Sequence, residues 1–439
     1  MTIHLAATER RLSPTEQAVL SVDHVCSLNF AMHCRLQGPL NQTQLQAALT
    51  QAQHRHPLLR MRIRAEHGGY WFRTEGVGPI PLRIVECPPE NLTAEAEYEA
   101  RTQVDWSQGP LARCVWLRHG PDQSTLLLTF HHVIGDGISG SFLIRDILQA
   151  LAGETLSALP LAESLDGHLP AQARGLRGAL GYLGMLARMI GWILQRGLPR
   201  ALPIEVKAPY TQRRANLLML QFDPHFTQAL AARARAEQTT VHAALAAAIA
   251  LSCYPDMQAD HAHVLFGSPL NMRDRFDPPI GEDIGFYVAM GVSSVQLHAR
   301  SQFWDLARDI KGGLNHAIAI GLPFYGLTGL APILVGLARL AGGGSRGMHA
   351  VARGWDAVMA PAMGLTNIGR AKINEQYGAF KVSALGFVAS ISVLGSYAFT
   401  ATTLGDTLCL NFIAMEPLVS PATQARVAER VRSLLGQML

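Results

Sequence analysis

The sequence predicts an α/β fold organised as two lobes of related topology. Its 439 residues exceed what one hydrophobic core usually supports. Strand-like and helix-like runs alternate along the chain, as in α/β proteins. A strand, a capping residue and a helix also follow one another at about the same place in each half.

In the first half, Phe30, Met32, Cys34 and Leu36 alternate with Ala31, His33, Arg35 and Gln37, the period of a strand. Asn41 then caps a helix whose face carries Leu45, Ala48 and Leu49 and which ends before Pro57. In the second half, "NLLMLQF" (Asn216 to Phe222) reads as a strand and Asp223 as a cap. Pro224 opens the helix "HFTQALAARARAE", where a missing N–H costs nothing. "LARCVWLRHG", "QSTLLLTFHH", "HVLFGSPL", "FVASISVLGSYAF" and "DTLCLNFIA" are strand-like. "VHAALAAAIALS" behind Thr240 and the closing "ATQARVAERVRSLLGQM" are helical.

Composition bounds the function. Hydrophobic residues make up 49% and charged residues 16%, which excludes a disordered chain. A net charge of +4, with no long Lys/Arg run and no zinc-finger spacing, gives no case for nucleic acid. The mild positive bias suits an acidic carrier protein or a phosphate-bearing co-substrate. The six cysteines, Cys26, Cys34, Cys87, Cys114, Cys253 and Cys409, form no CxxC pair. They read as reduced thiols in a reducing compartment. "MTIHLAATERRLSP" lacks the layout of a signal peptide, so a cytoplasmic location is expected.

Two stretches stand out. Residues 167–204 hold Arg174, Arg177, Arg188, Arg196 and Arg200 and no acid, around the apolar run "LGYLGMLARMIGWIL". Residues 312–338 contain no Asp, Glu, Lys or Arg, a length sufficient to span a bilayer, but Pro323, Pro332 and several glycines interrupt them. Three readings stand: a transmembrane helix, buried helices around an apolar cavity, and peripheral contact with a membrane or lipid substrate.

The candidate site is "LLLTFHHVIGDGISG", Leu126 to Gly140. Neighbouring residues of a strand point to opposite faces, so His131 and His132 cannot both ligate one metal if the strand runs through them. No other His, Cys or Glu cluster lies near, and no metal is expected. One histidine faces the core and the other a cleft, and parity alone does not say which. Gly135 and Gly137 bracket Asp136, suggesting a sharp turn, and Ser139 or Ser141 is placed to cap the next helix. A histidine held at such a strand end is placed to move protons near neutral pH. A structural His–Asp pair in a polar corner fits the same residues.

HHxxxDG, as His131-His132-Val133-Ile134-Gly135-Asp136-Gly137, resembles the motif of the condensation-domain and CoA-dependent acyltransferase superfamily. "RHPLLR" (Arg55 to Arg60), "SPLNMRDR" (Ser268 to Arg275), "GEDIGFYV" and "LTNIGR" (Leu365 to Arg370) are similar to other segments of that superfamily, in the same order. No DFGWG-like motif of the plant enzymes is present. Thr366-Asn367 stands where the family segment usually reads Ser-Asn. The resemblance is closest in style to free-standing polyketide- or lipid-associated O-acyltransferases, so a stand-alone enzyme without an adenylation or carrier domain is expected.

The resemblance implies two chloramphenicol-acetyltransferase-like lobes, a pseudo-dimer with an active-site tunnel between them. The first lobe is expected over residues 1–175, an apolar and basic helical linker over 176–210, and the second lobe over 211–439. An acyl group would pass from a CoA or phosphopantetheinyl carrier thioester to an alcohol, with no tightly bound cofactor. His132 would be the general base. Asp136 would turn away into a structural ion pair with Arg273, or alternatively Arg60. His131 and Gly137 would support the site, with N–H groups around Gly137 facing the oxyanion and Thr366 or Asn367 adding a polar contact. An acyl carrier protein is an expected partner. Amide formation, and a catalytically silent domain that recruits a carrier or partner protein, are the alternatives.

Overall fold

The structure is a computed structural model describing residues 9–23, 26–66, 68–254, 262–298, 301–340, 346–347, 349–350, 353, 363–389 and 395–439. The chain runs β1 (Arg10–Arg11), α1 (Pro14–Asp23), β2 (Asn29–Gln37), α2 (Gln42–Arg55), β3 (Arg62–Glu66), β4 (Gly69–Arg73), β5 (Leu82–Glu86) and α3 (Leu92–Arg101). It continues through β6 (Ala112–Arg118), β7 (Gln123–His131), α4 (Gly137–Leu151), α5 (Leu165–His168), α6 (Gly175–Arg196), β8 (Arg214–Phe222), α7 (Pro224–Ala236) and α8 (Val241–Cys253). Then come β9 (Ala262–Asn271), β10 (Val288–Leu297), α9 (Phe303–Ala319), α10 (Leu322–Leu340), β11 (Met363–Arg370), β12 (Gln376–Tyr377) and β13 (Phe380–Ala389). The chain closes with β14 (Tyr397–Leu404), β15 (Thr407–Glu416) and α11 (Pro421–Gln437).

These elements form two compact units. The first comprises residues 1–168, 272–287 and 370–390, and the second residues 169–271, 288–369 and 391–439. Each is built on a six-stranded mixed sheet. In the first unit the order is β12-β13-β2-β7-β6-β5, with β5 and β6 parallel and the other pairs antiparallel. In the second it is β10-β9-β11-β14-β15-β8, with β9 and β11 parallel. The fold is α/β in two units, each with its own six-stranded sheet, as the sequence predicts.

The helix starts follow from local chemistry. Asn41 accepts from the Gln44 N–H while the Gln44 side chain returns to the Asn41 N–H, a reciprocal cap. Asp223 before Pro224 and Thr240 before Val241 each accept a hydrogen bond from the first turn. The strands β2 and β7 are buried on both faces because α3 and α4 both pack on β2. β13 returns from late in the sequence to pair with β2.

Two expectations are corrected. The strand-like run "FVASISVLGSYAF" is not one strand: β13 ends at Ala389 and β14 begins at Tyr397, in different units, and residues 390–394 lie outside the described ones. Residues 312–338 divide between α9 and α10, which meet at Gly321 (φ +72°, a backbone state open to glycine) with a 65° bend. Among the described residues no single helix is long and apolar enough to cross a membrane. Nor are the two helices simply interior: Ala317, Leu322 and Ala331 are buried, whereas Ile333, Leu337 and Leu340 are exposed.

Candidate active site in the first unit

The strand β7 is apolar on both faces because both are covered, and it ends at His131. Its end is chemical as well as geometric. His131 Nδ1 accepts from the Val133 N–H at 3.1 Å, which turns the chain into a short 3-10 segment, His132–Ile134. Val133 and Ile134 are fully buried and anchor that turn. The strand therefore stops between the two histidines.

Register settles which histidine faces which side. Phe30 lies opposite Phe130 and Asn29 opposite His131. Asn29 donates to the carbonyls of Glu99 and Thr102, placing His131 on the α3 face. There it is fully buried, its Nε2 3.2 Å from the Asp23 carboxylate. Because Nδ1 accepts, the neutral ring carries its proton on Nε2, toward Asp23.

His132 belongs to the other face and is half-buried. Its ring packs edge-on against Phe286, centroids 5.0 Å apart, and tilts against Phe30 at 5.5 Å. Nδ1 donates to the Gly135 carbonyl at 2.7 Å. A carbonyl only accepts, so the neutral ring holds its proton on Nδ1 and leaves an unshared pair on Nε2. Burial holds this imidazole below its ordinary value of 6.5, although the Gly135 carbonyl and Asp136 pull the other way.

Gly135 and Gly137 play a different part from the one expected. Neither adopts a left-handed conformation. A Cβ on Gly135 would lie 2.7 Å from Phe130 Cε2, so glycine permits close approach of the turn to the sheet. Gly137 is the first residue of α4, where a backbone N–H has no intrahelical partner.

The helix cap is neither Ser139 nor Ser141 but Asp136. Its Oδ1 accepts from the Ser139 N–H at 2.8 Å and stands 3.0 Å from the Ser139 hydroxyl. Its Oδ2 accepts from the Tyr287 N–H at 3.0 Å. Arg273 Nη2 lies 3.7 Å from Asp136 Oδ1 and donates at 2.8 Å to the Ser139 hydroxyl standing between them. The Arg273 guanidinium also donates to the Asp283 carbonyl and covers the Tyr287 ring at 4.6 Å. Asp136, Ser139 and Arg273 thus bind residues 281–287, which carry Phe286, to the start of α4. Arg60 is exposed, at the end of a 3-10 turn after α2.

Thr366 and Asn367 lie in β11, in the second unit, where Asn367 Oδ1 accepts from the Gly369 N–H at 2.8 Å. Among the described residues no group of three or more His, Cys, Asp and Glu is arranged to hold a metal.

Sequence reasoning missed Asp23, Ser139 as a hydrogen-bond hub, and Phe286. It also missed a buried cluster in which Asp146 accepts from Arg55, Arg145 and His56 while Glu282 bridges the two arginines. The adjacent "RH" of Arg55-His56 was the available signal.

The sequence matches known families. Residues 20–166 match the condensation domain model, and residues 211–371 match the C-terminal model of phthiocerol/phthiodiolone dimycocerosyl transferase. The chain belongs to the condensation-domain and acyltransferase superfamily. Among curated relatives, a nonribosomal peptide synthetase of Curvularia clavata is 27% identical over 300 residues, 65% of this chain. The match spans only 2% of that synthetase. Among solved structures, polyketide synthase associated protein 5 from Mycobacterium tuberculosis superposes with a TM-score of 0.68 at 18% identity, covering 97% of each chain. The trichothecene 15-O-acetyltransferase of Fusarium sporotrichioides gives 0.73 at 11% identity, covering 98% of this chain and 95% of that one. At these identities the superpositions establish the superfamily's fold.

Proposed function

We propose that this superfamily member transfers an acyl group from a CoA or carrier-protein thioester to an alcohol, with His132 as general base. The observation that carries the reading is the His132 Nδ1–H bond to the Gly135 carbonyl, which leaves Nε2 as a proton acceptor on a half-buried ring. An alcohol stays protonated at neutral pH and is a weak nucleophile. As its oxygen bonds to the thioester carbon, Nε2 takes its proton. The carbonyl becomes an oxyanion, to which the open N–H groups at the start of α4, beginning with Gly137, would donate. Collapse breaks the C–S bond, and the imidazolium returns its proton to the leaving thiolate. The products are an ester and a thiol, and the enzyme is unchanged.

Asp136 and Arg273 act in this reading as positioning residues, through Ser139 and the segment bearing Phe286. His131, held against Asp23, fixes the end of the strand that presents His132. A protonated carboxylate or a bound cofactor is not required for any step. The acyl carrier protein enters as a donor-bearing partner, a reading the condensation-domain match supports.

The same match favours a second reading, an amine acceptor and an amide product. The two separate in one experiment. The chain is incubated with acyl-CoA or acyl-carrier-protein donors and paired alcohol and amine acceptors, and products are identified by mass spectrometry. Ester formation that disappears in His132→Ala supports the first reading; amide formation alone selects the second. Absence of turnover with every pair, with carrier binding retained, would sink both.

A further inference from the structure

We propose that α6 docks the protein on an anionic lipid surface. The helix is apolar on two opposite sides. On one side Met185, with Tyr182, Leu186, Met189 and Trp192, packs against Ala317, Ile320, Leu322 and Tyr325 of the α9–α10 region. The close fit is specific: Tyr325 lies over Gly181 and Tyr182 over Gly329.

The other side is uncovered. Leu176, Leu180, Leu183, Ala187, Ile190 and Leu194 recur at alternating steps of four and three, one straight stripe along the helix. Exposures are 77% for Leu176, 59% for Leu180 and Leu183, 57% for Ile190 and 81% for Leu194. A helix of 22 residues is about 33 Å long, so the stripe runs the length of a small domain. Five large aliphatic side chains in one row are not the scattered exposure of an ordinary surface.

Charge decides the occupant. Arg174, Arg177, Arg188, Arg196 and Arg200 lie between residues 167 and 204, with no acid among them. By helical period Arg177 and Arg188 sit about 100–120° round from the stripe, where long stems reach along the flank and guanidiniums rise to a phosphate layer. A second copy would bring two such basic stripes together and is disfavoured by like charge. A bilayer span is disfavoured because one full side of the helix is committed to protein contacts. An apolar row with a basic shoulder and no acid is complementary to an anionic interface, with leucines among the acyl chains and arginines on the headgroups. The proposal does not rest on the acyl-transfer reading, which concerns the first unit; α6 belongs to the second.

Flotation of the full chain with phosphatidylcholine vesicles, with and without phosphatidylglycerol, tests it. The expected result is binding that requires phosphatidylglycerol and weakens with salt. Arg177→Gln with Arg188→Gln should weaken it on the order of tenfold. Leu180→Ser with Leu194→Ser should abolish it, with the melting curve unchanged because both side chains are mostly exposed. An environment-sensitive dye on Leu180→Cys should shift to the blue on vesicle addition, a readout independent of the serine variant's folding. Failure to float with either vesicle, binding indifferent to these substitutions, or a dimer that Leu180→Ser dissociates would each overturn the proposal.

Discussion

The Asp136 carboxylate accepts a hydrogen bond from the Tyr287 N–H at 3.0 Å, joining positions 151 residues apart in the chain. With its other oxygen on Ser139, one buried side chain both starts α4 and fixes the segment that packs on His132. Asp136→Ala should therefore lose stability, by about 3–5 kcal/mol, since the buried Arg273 charge loses its carboxylate counter-charge and the Ser139 and Tyr287 N–H groups lose their acceptor. Asp136→Asn should cost less, about 1–3 kcal/mol, because its amide restores one acceptor while opposing a donor at the other. Denaturant midpoints measure both. A midpoint unchanged in Asp136→Ala, with the rate lost, would contradict a structural role.

His132→Ala should lower the acyl-transfer rate about 10²–10⁴-fold with an unchanged melting temperature. The base works as neutral imidazole, and burial holds its pKa below 6.5. Activity should therefore persist as pH falls through 6.5 and decline only below it. An acid limb centred above 6.5 in the pH–rate profile would count against this assignment.

Burial pushes His33 in β2 down to about 4, with Arg35 adding to the effect, and His242 in α8 also to about 4. Both are expected near 6.5 when unfolded. Between those limits the unfolded chain binds more protons, so stability is complete above pH 6.5 and falls as pH drops toward 4. The loss is at most about 3 kcal/mol for each histidine. His33→Leu should flatten part of this slope in urea titrations across that range. An equal slope in the variant would show that His33 is not its source.

Asp146 is fully buried between Arg55, Arg145 and His56, whereas the Glu282 side chain is 46% exposed. Asp146→Ala should cost about 3–5 kcal/mol by taking the one fully buried carboxylate from Arg55, Arg145 and His56, which leaves the arginines only the half-exposed Glu282. Glu282→Gln should cost no more than about 1 kcal/mol, because water screens an exposed carboxylate. Comparable losses in the two variants would refute this division.

A Cβ on Gly386 of β13 would fall 2.4 Å from His33 Nε2 on the paired strand β2. Gly386→Ala should cost about 1–3 kcal/mol through overpacking. In a His33→Val background most of that loss should vanish, because the shorter side chain vacates the space. A double-mutant cycle with no coupling would exclude the clash as the cause.

Much of this protein is set by local chemistry. The caps at Asn41, Asp223 and Thr240 satisfy orphan N–H groups within one turn, so adjacent residues suffice to place those helices. Alternation in β2 and the apolar run of β7 are likewise short-range patterns, and His131 to Gly137 stood out in sequence alone. Tertiary structure decided the rest. Which histidine is buried depends on strand register and on Asp23, a partner 108 positions away whose identity no spacing reveals. Asp136 displaced the serines as the cap because a carboxylate can accept from Ser139 and Tyr287 together, and Tyr287 comes near only when the chain has folded. The two apolar sides of α6 look alike in sequence; only packing shows that one meets α10 and the other meets solvent. Hydrophobic burial carries no direction of its own, so the chain names what is apolar and the fold selects what each apolar side touches.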